Sequence, residues 1–163
     1  MDPKPDSIQA AIQQTRPFRS KRQEALIGLL LTSEATRWPL QDLFARHGDL
    51  TLQQYNVLRI LRGAGAEGLP TLDIAARMIE RTPGITRLLD RLETKGLVAR
   101  SRAHTDRRQV ICRISDDGLA LLKSLDRPVA ALDDTMLGCL NDREVGQLIQ
   151  LLDKVRIHNT RPS

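Results

Sequence analysis

Apolar positions recur at helical spacing in the middle of the chain: Ile85, Leu88, Leu89 and Leu92 stand at i, i+3, i+4 and i+7, one face of an α-helix. The spacing predicts a helix over 82–95. Thr82 is placed to cap it and Pro83 suits its first position, and Lys95-Gly96 supplies a basic last turn and a glycine stop. Upstream, Tyr55, Leu58 and Leu61 share one face of a helix opened by Thr51, and Thr71 is expected to cap a short helix over 72–79. Downstream the pattern becomes strand-like over 97–102 and again over 109–114, with polar residues 103–107 between, which predicts a two-stranded hairpin with a charged tip.

The flanks carry longer helical patterns. Ser20 can cap a helix that runs through residues 25–31, whose apolar positions go almost all the way round. Such a helix is buried on more than one side, which in a chain of this size points to a subunit interface. Pro39 is expected to kink or break it before it resumes through Leu43 and Phe44. Ser115-Asp116-Asp117-Gly118 starts a long helix carrying Leu119, Leu122, Leu125, Val129, Leu132 and Met136, bent at Pro128. Asn141-Asp142-Arg143-Glu144 reads as a capping box before a last helix with Val145, Leu148, Ile149, Leu152 and Val155. Residues 1–18 hold Pro3, Pro5 and Pro17 and few apolar anchors, the pattern of a loose arm.

Composition agrees with a helical fold. Of the 163 residues 40 % are hydrophobic and only 2 % aromatic, so the core is aliphatic, which favours helices over a β-sandwich. The net charge is +5, and its placement matters more than its size. Residues 81–113 hold nine bases against three acids, so this window carries the whole surplus and the remainder is close to neutral. A basic charge confined to one stretch is the footprint of a polyanion-binding face.

Several chemistries lack support. Gly63-Ala64-Gly65-Ala66-Glu67-Gly68 spells G-x-G-x-x-G, but it follows a helix and not a strand, so the dinucleotide-binding reading fails its context. His47, His104 and His158 are isolated, and no nucleophile–histidine or paired-carboxylate arrangement recurs. No two His or Cys residues lie within four positions of each other, against a metal site. No catalytic residue, cofactor or metal is therefore expected. Cys112 and Cys139 make no disulfide framework. The first twenty residues show no signal peptide and no apolar run approaches the roughly 20 residues of a membrane span, so a cytoplasmic protein without membrane contact is expected.

Helix, turn, helix and hairpin in that order make a winged helix-turn-helix, in which an exposed helix face can read base edges in the major groove. On the helix over 82–95 the residues opposite the core stripe are Gly84, Thr86, Arg87, Asp90 and Arg91. Arg87 can give two hydrogen bonds to a guanine, Thr86 can touch a thymine methyl and Thr82 can bond a phosphate.

The segment Gly96-Leu97-Val98-Ala99-Arg100, then Asp106-Arg107-Arg108-Gln109, then Ile114-Ser115-Asp116-Asp117-Gly118 resembles the wing signature of the MarR family, roughly K-G-L-V-x-R, D-x-R and L-T-x-x-G. Ile85-Thr86-Arg87-Leu88-Leu89-Asp90-Arg91-Leu92-Glu93 looks like that family's recognition helix. The resemblance spans about residues 25–157 and is strongest over 54–122. It implies a mainly α fold with a small β-hairpin wing, dimeric through its terminal helices: a flexible arm over 1–18, dimerisation helices over 19–50 and 116–163, and a DNA-binding lobe over 51–115. It implies a homodimeric regulator on a pseudo-palindromic operator. DNA contacts then fall on Thr82, Thr86, Arg87 and Arg91 of the recognition helix and on Asp106, Arg107 and Arg108 of the wing, with Arg108 entering the minor groove. Ser115 stands where threonine is commoner.

Many family members bind small, often phenolic, anions between the dimer helices and the DNA-binding lobe. By resemblance the lining here is Arg37, Trp38, His47, Tyr55, Asn56 and Arg59. Asn56 stands where the urate-responsive branch has an aspartate, against urate. Peroxide-sensing members carry their cysteine in the first helix, where this chain has none. Cys112 reads as wing packing, and Cys139 is the better candidate for oxidation. A repressor released by a small aromatic or anionic ligand is the reading taken forward. A DNA-binding regulator or architectural protein without an effector, and a redox-responsive regulator, are the alternatives. An accessory module of an enzyme would not need the basic window.

Overall fold

The computed structural model describes residues 7–79, 84–102 and 109–160. In chain order these form α1 (Ile8–Ala11), α2 (Lys21–Gly48), α3 (Leu52–Ala64), β1 (Leu69–Pro70), α4 (Thr71–Arg77), α5 (Ile85–Thr94), β2 (Val98–Arg102), β3 (Val110–Ile114), α6 (Asp116–Leu137) and α7 (Asp142–Thr160).

Side-chain caps start the helices where the sequence places them. The Ser20 hydroxyl accepts from the Gln23 amide at 3.2 Å. Thr51 and Gln54 bond reciprocally at 3.2 and 2.9 Å, and Asn141 and Glu144 do the same at 3.1 and 2.9 Å. Ser115 accepts from Gly118 at 3.1 Å. Each such cap contributes about 1 kcal/mol by satisfying an amide that the first turn leaves without a partner.

Some expectations give way. α2 does not break at Pro39; a proline removes one amide, and in a helix this long the turns on either side carry the ladder across it, as they do in α6, which continues through Pro128 as expected. Thr71 does not cap α4. Pro70 holds the cap position, Thr71 is the first helical residue, and the helix ends at Arg77, short of residue 79. α5 begins at Ile85, with Gly84 before it at φ 94° and no side-chain cap, so the helix starts later than the Thr82–Pro83 signal proposes. A short helix, α1, lies within the expected arm. Ser7 caps α1, and Ile8 lies so close over Gly28 of α2 that a methyl there would meet its Cδ1 at 2.6 Å.

The sheet has three antiparallel strands in the order β1-β3-β2. The hairpin pairs Val98 with Ile114, Arg100 with Cys112 and Arg102 with Val110. β1 adds Leu69 opposite Cys112, a two-residue strand too short to leave a sequence period. Its proline sits at a sheet edge, where a missing amide does little harm.

One aliphatic core joins these pieces. Phe44, Leu58, Leu61, Ile74, Leu89, Leu92, Cys112, Leu122 and Leu125 are fully buried. Burial of a leucine or phenylalanine contributes about 1.5–3 kcal/mol, so this cluster holds α3, α4, α5, the sheet and the first half of α6 together. α2 contributes only Phe44 to it, and α7 buries nothing. Ala25 and Leu29 of α2 face Leu148, Leu152 and Val155 of α7 across an apolar groove of about 680 Å³.

Candidate nucleic-acid interface

α5 presents two unlike faces. Leu89 and Leu92 are fully buried, while Thr86, Arg87 and Arg91 on the other side are exposed. The helix is closed by a double bond pattern, Leu97 amide to Leu92 carbonyl and Gly96 amide to Glu93 carbonyl, both 2.9 Å. This is the stop that a glycine after the C-cap allows, and it turns the chain directly into β2.

The six described bases of the window divide into two groups. Arg100 of β2 donates to Glu93 through Nε at 2.8 Å and through Nη2, and Nη2 also reaches Asp90 Oδ1 at 2.7 Å. Lys95 bonds the Asp49 carboxylate at 2.8 Å and also the Asp49 carbonyl. Arg113 donates to the Ala66 carbonyl at 2.9 Å and the Ser101 hydroxyl at 2.8 Å. These three are committed within the fold. Arg87, Arg91 and Arg102 make no hydrogen bond or ion pair among the described residues and leave their donors to solvent. Asp90, placed on the outward face by spacing, is exposed but turned to Arg100. The arginine hydrogen bond holds the Glu93 carboxyl below its usual range, and the Lys95 ammonium does the same for Asp49.

Of the residues expected to contact DNA, Thr86, Arg87 and Arg91 therefore share one exposed face. Thr82, Asp106, Arg107 and Arg108 lie outside the described residues. The tether of Arg100 to Asp90 and Glu93 went unread in the sequence, although Arg100 belongs to the quoted wing motif and Asp90 and Glu93 stand one helical turn apart.

The expected ligand residues are spread along α2 and α3. Arg37 sits 3.7 Å from Glu34, and the neighbouring Trp38 indole is 67 % exposed. His47 is exposed, with Nδ1 3.1 Å from the Leu43 carbonyl. Tyr55 stacks on Phe44 with ring centroids 4.0 Å apart, and burial pushes its hydroxyl pKa up. Arg59 donates to Asn56 at 3.0 Å. The larger cavities are lined by other residues. Cys112 is buried, 3.8 Å from the Thr71 hydroxyl, and burial raises its thiol pKa; Cys139 is exposed. Among the described residues no group of three His, Cys, Asp or Glu side chains could hold a metal ion, and no helix is long and apolar enough to cross a membrane.

Comparison with known proteins agrees with this geometry. The family model for the MarR family matches residues 50–110. The HTH-type transcriptional regulator MhqR of Bacillus subtilis is 30 % identical over 113 residues, 69 % of this chain and 76 % of that protein. The homoprotocatechuate degradative operon repressor of Escherichia coli is 28 % identical over 136 residues, 83 % of this chain and 90 % of that one. The crystal structure of a MarR transcription factor from Planctomyces limnophilus is 41 % identical, with a TM-score of 0.65 over 84 % of this chain and 98 % of that one. The winged helix-turn-helix with an exposed basic face on α5 and the extent of these likenesses together show that the chain belongs to the MarR family of transcriptional regulators.

Proposed function

We propose that this protein is a homodimeric, sequence-specific DNA-binding repressor, and not an enzyme, whose hold on its operator is released by a small aromatic or anionic ligand. The observation that carries the DNA reading is the exposed Thr86–Arg87–Arg91 face. Its arginines are unpaired among the described residues, while Leu89 and Leu92 anchor the other side of the same helix in the core. Repression follows the Escherichia coli relative, which is an operon repressor. Residues 19–50 and 116–163 supply the dimer contact, since the groove between α2 and α7 leaves Leu29, Ile149 and Leu152 exposed on a single chain. Wing residues Asp106, Arg107 and Arg108 complete the DNA face, and Thr82 reaches a phosphate. Arg37, Trp38, His47, Tyr55 and Arg59 form the ligand-responsive set; the exposed indole offers a stacking face and the arginines pair with a carboxylate. A regulator of this kind works in the cytoplasm.

The test is selection of bound duplexes from a random pool, followed by titration over a salt series and with a panel of aromatic carboxylates. A pseudo-palindrome is expected, with half-sites about one helical turn apart. With roughly 6 phosphates neutralised per dimer, log affinity against log salt should fall with a slope near −5. No enriched sequence and a flat salt response would overturn the reading of DNA binding. Selected binding that no carboxylate weakens would remove the effector and leave the repressor.

A further inference from the structure

Leu72, on α4, is 80 % exposed on the side of the helix away from the buried Ile74. A lone exposed leucine carries nothing, but this one is not alone. It lines an open cleft of about 510 Å³ together with Pro70, Thr86 of α5 and Val110 of β3, and Val110 is itself 37 % exposed. Arg100 also borders the cleft, but its guanidinium is taken by Asp90 and Glu93. Thr71, Asp73 and Gln109 supply the polar part of the lining, and Leu72, Pro70 and Val110 form an apolar patch within it, on the cleft that Thr86 shares beside the exposed Arg87.

A duplex laid against that face offers one apolar group in its major groove, the 5-methyl of thymine. We propose that Leu72 is a base-reading residue, and that with Val110 it receives the methyl of a thymine next to the base that Thr86 touches. Specificity would then come from two helices of the motif, α5 through hydrogen bonds and α4 through shape. The inference rests on the DNA-binding reading above.

The experiment uses the full chain and the duplex recovered by selection, with each thymine in turn replaced by deoxyuridine, which lacks only the methyl. At one position in each half-site the parent protein should lose about fourfold in affinity, the worth of one buried methyl group. Leu72→Ala should show a similar loss on the thymine duplex and none from deoxyuridine at that position, because the two changes remove the same contact. Val110→Ala should couple to the same position. Thermal unfolding of Leu72→Ala should match the parent, since the side chain is mostly in water. Losses that add, or an even loss on every duplex with no deoxyuridine dependence, would place Leu72 against the backbone or off the DNA and overturn the proposal. Failure to select any duplex would instead defeat the underlying DNA reading, and this inference with it.

Discussion

Arg100 of the wing strand holds the Asp90 carboxylate of the recognition helix at 2.7 Å, and the same guanidinium bonds Glu93 one turn further on. The two parts of the reading head are thus tied by one side chain and not only by the chain that links them. A planar guanidinium with several donors can serve two carboxylates at once.

The tether should matter more for DNA binding than for folding. Exposed ion pairs contribute little to stability, so Arg100→Met should lower the melting temperature slightly and reduce operator affinity by a larger factor. The pH dependence has a definite sign. Glu93 titrates below its ordinary value of 4.5 in the fold, so its contribution is fully present above that value and is lost as pH falls through the lowered one. Thermal unfolding from pH 7 down to pH 3 should show the parent losing more stability in that acid range than Glu93→Gln. Equal losses would mean that the pair contributes nothing.

Arg87 and Arg108 should fail in different ways. Arg87 stands on the exposed face of α5, and Arg87→Ala should lose roughly 1–3 kcal/mol on the matched operator and much less on scrambled DNA. Arg108, placed in the minor groove by family resemblance, should when changed to alanine weaken both duplexes evenly and flatten the salt slope by about one unit. Fluorescence titration of both variants on both duplexes decides. An equal loss for Arg87→Ala on both would take that residue off the base edges.

Removing residues 141–163 deletes the α7 wall of the apolar groove. The shortened chain should be monomeric or insoluble and should not bind operator. A well-folded dimer by light scattering would move the subunit contact elsewhere.

Two glycines, one packed behind the wing and one in the open on α7, test the helices. A methyl at Gly118 would come within 2.4 Å of the Leu97 carbonyl oxygen and 2.7 Å of Ile114 Cγ1, so Gly118→Ala should destabilise by about 1–3 kcal/mol. Gly146 in α7 has nothing within 4 Å, and Gly146→Ala should stabilise by about 0.5–1 kcal/mol through helix propensity. Chemical denaturation of the two variants should move in opposite directions.

What the sequence determined by itself was local. The caps at Ser20, Thr51, Ser115 and Asn141, the core stripe through Leu89 and Leu92, and the order helix, turn, helix, hairpin are set by interactions three or four residues apart or by strand alternation, which a linear reading contains. The tertiary structure decided what depends on partners distant in sequence. β1 exists only because Leu69 finds Cys112 across the sheet. Lys95 is withdrawn from the DNA face by Asp49, and Arg113 by the Ala66 carbonyl, each more than forty residues away. Charge counting saw nine bases in one window; only the fold sorts the six described ones into those that brace the head and those left facing outward, because hydrogen-bond partners are chosen by distance in space.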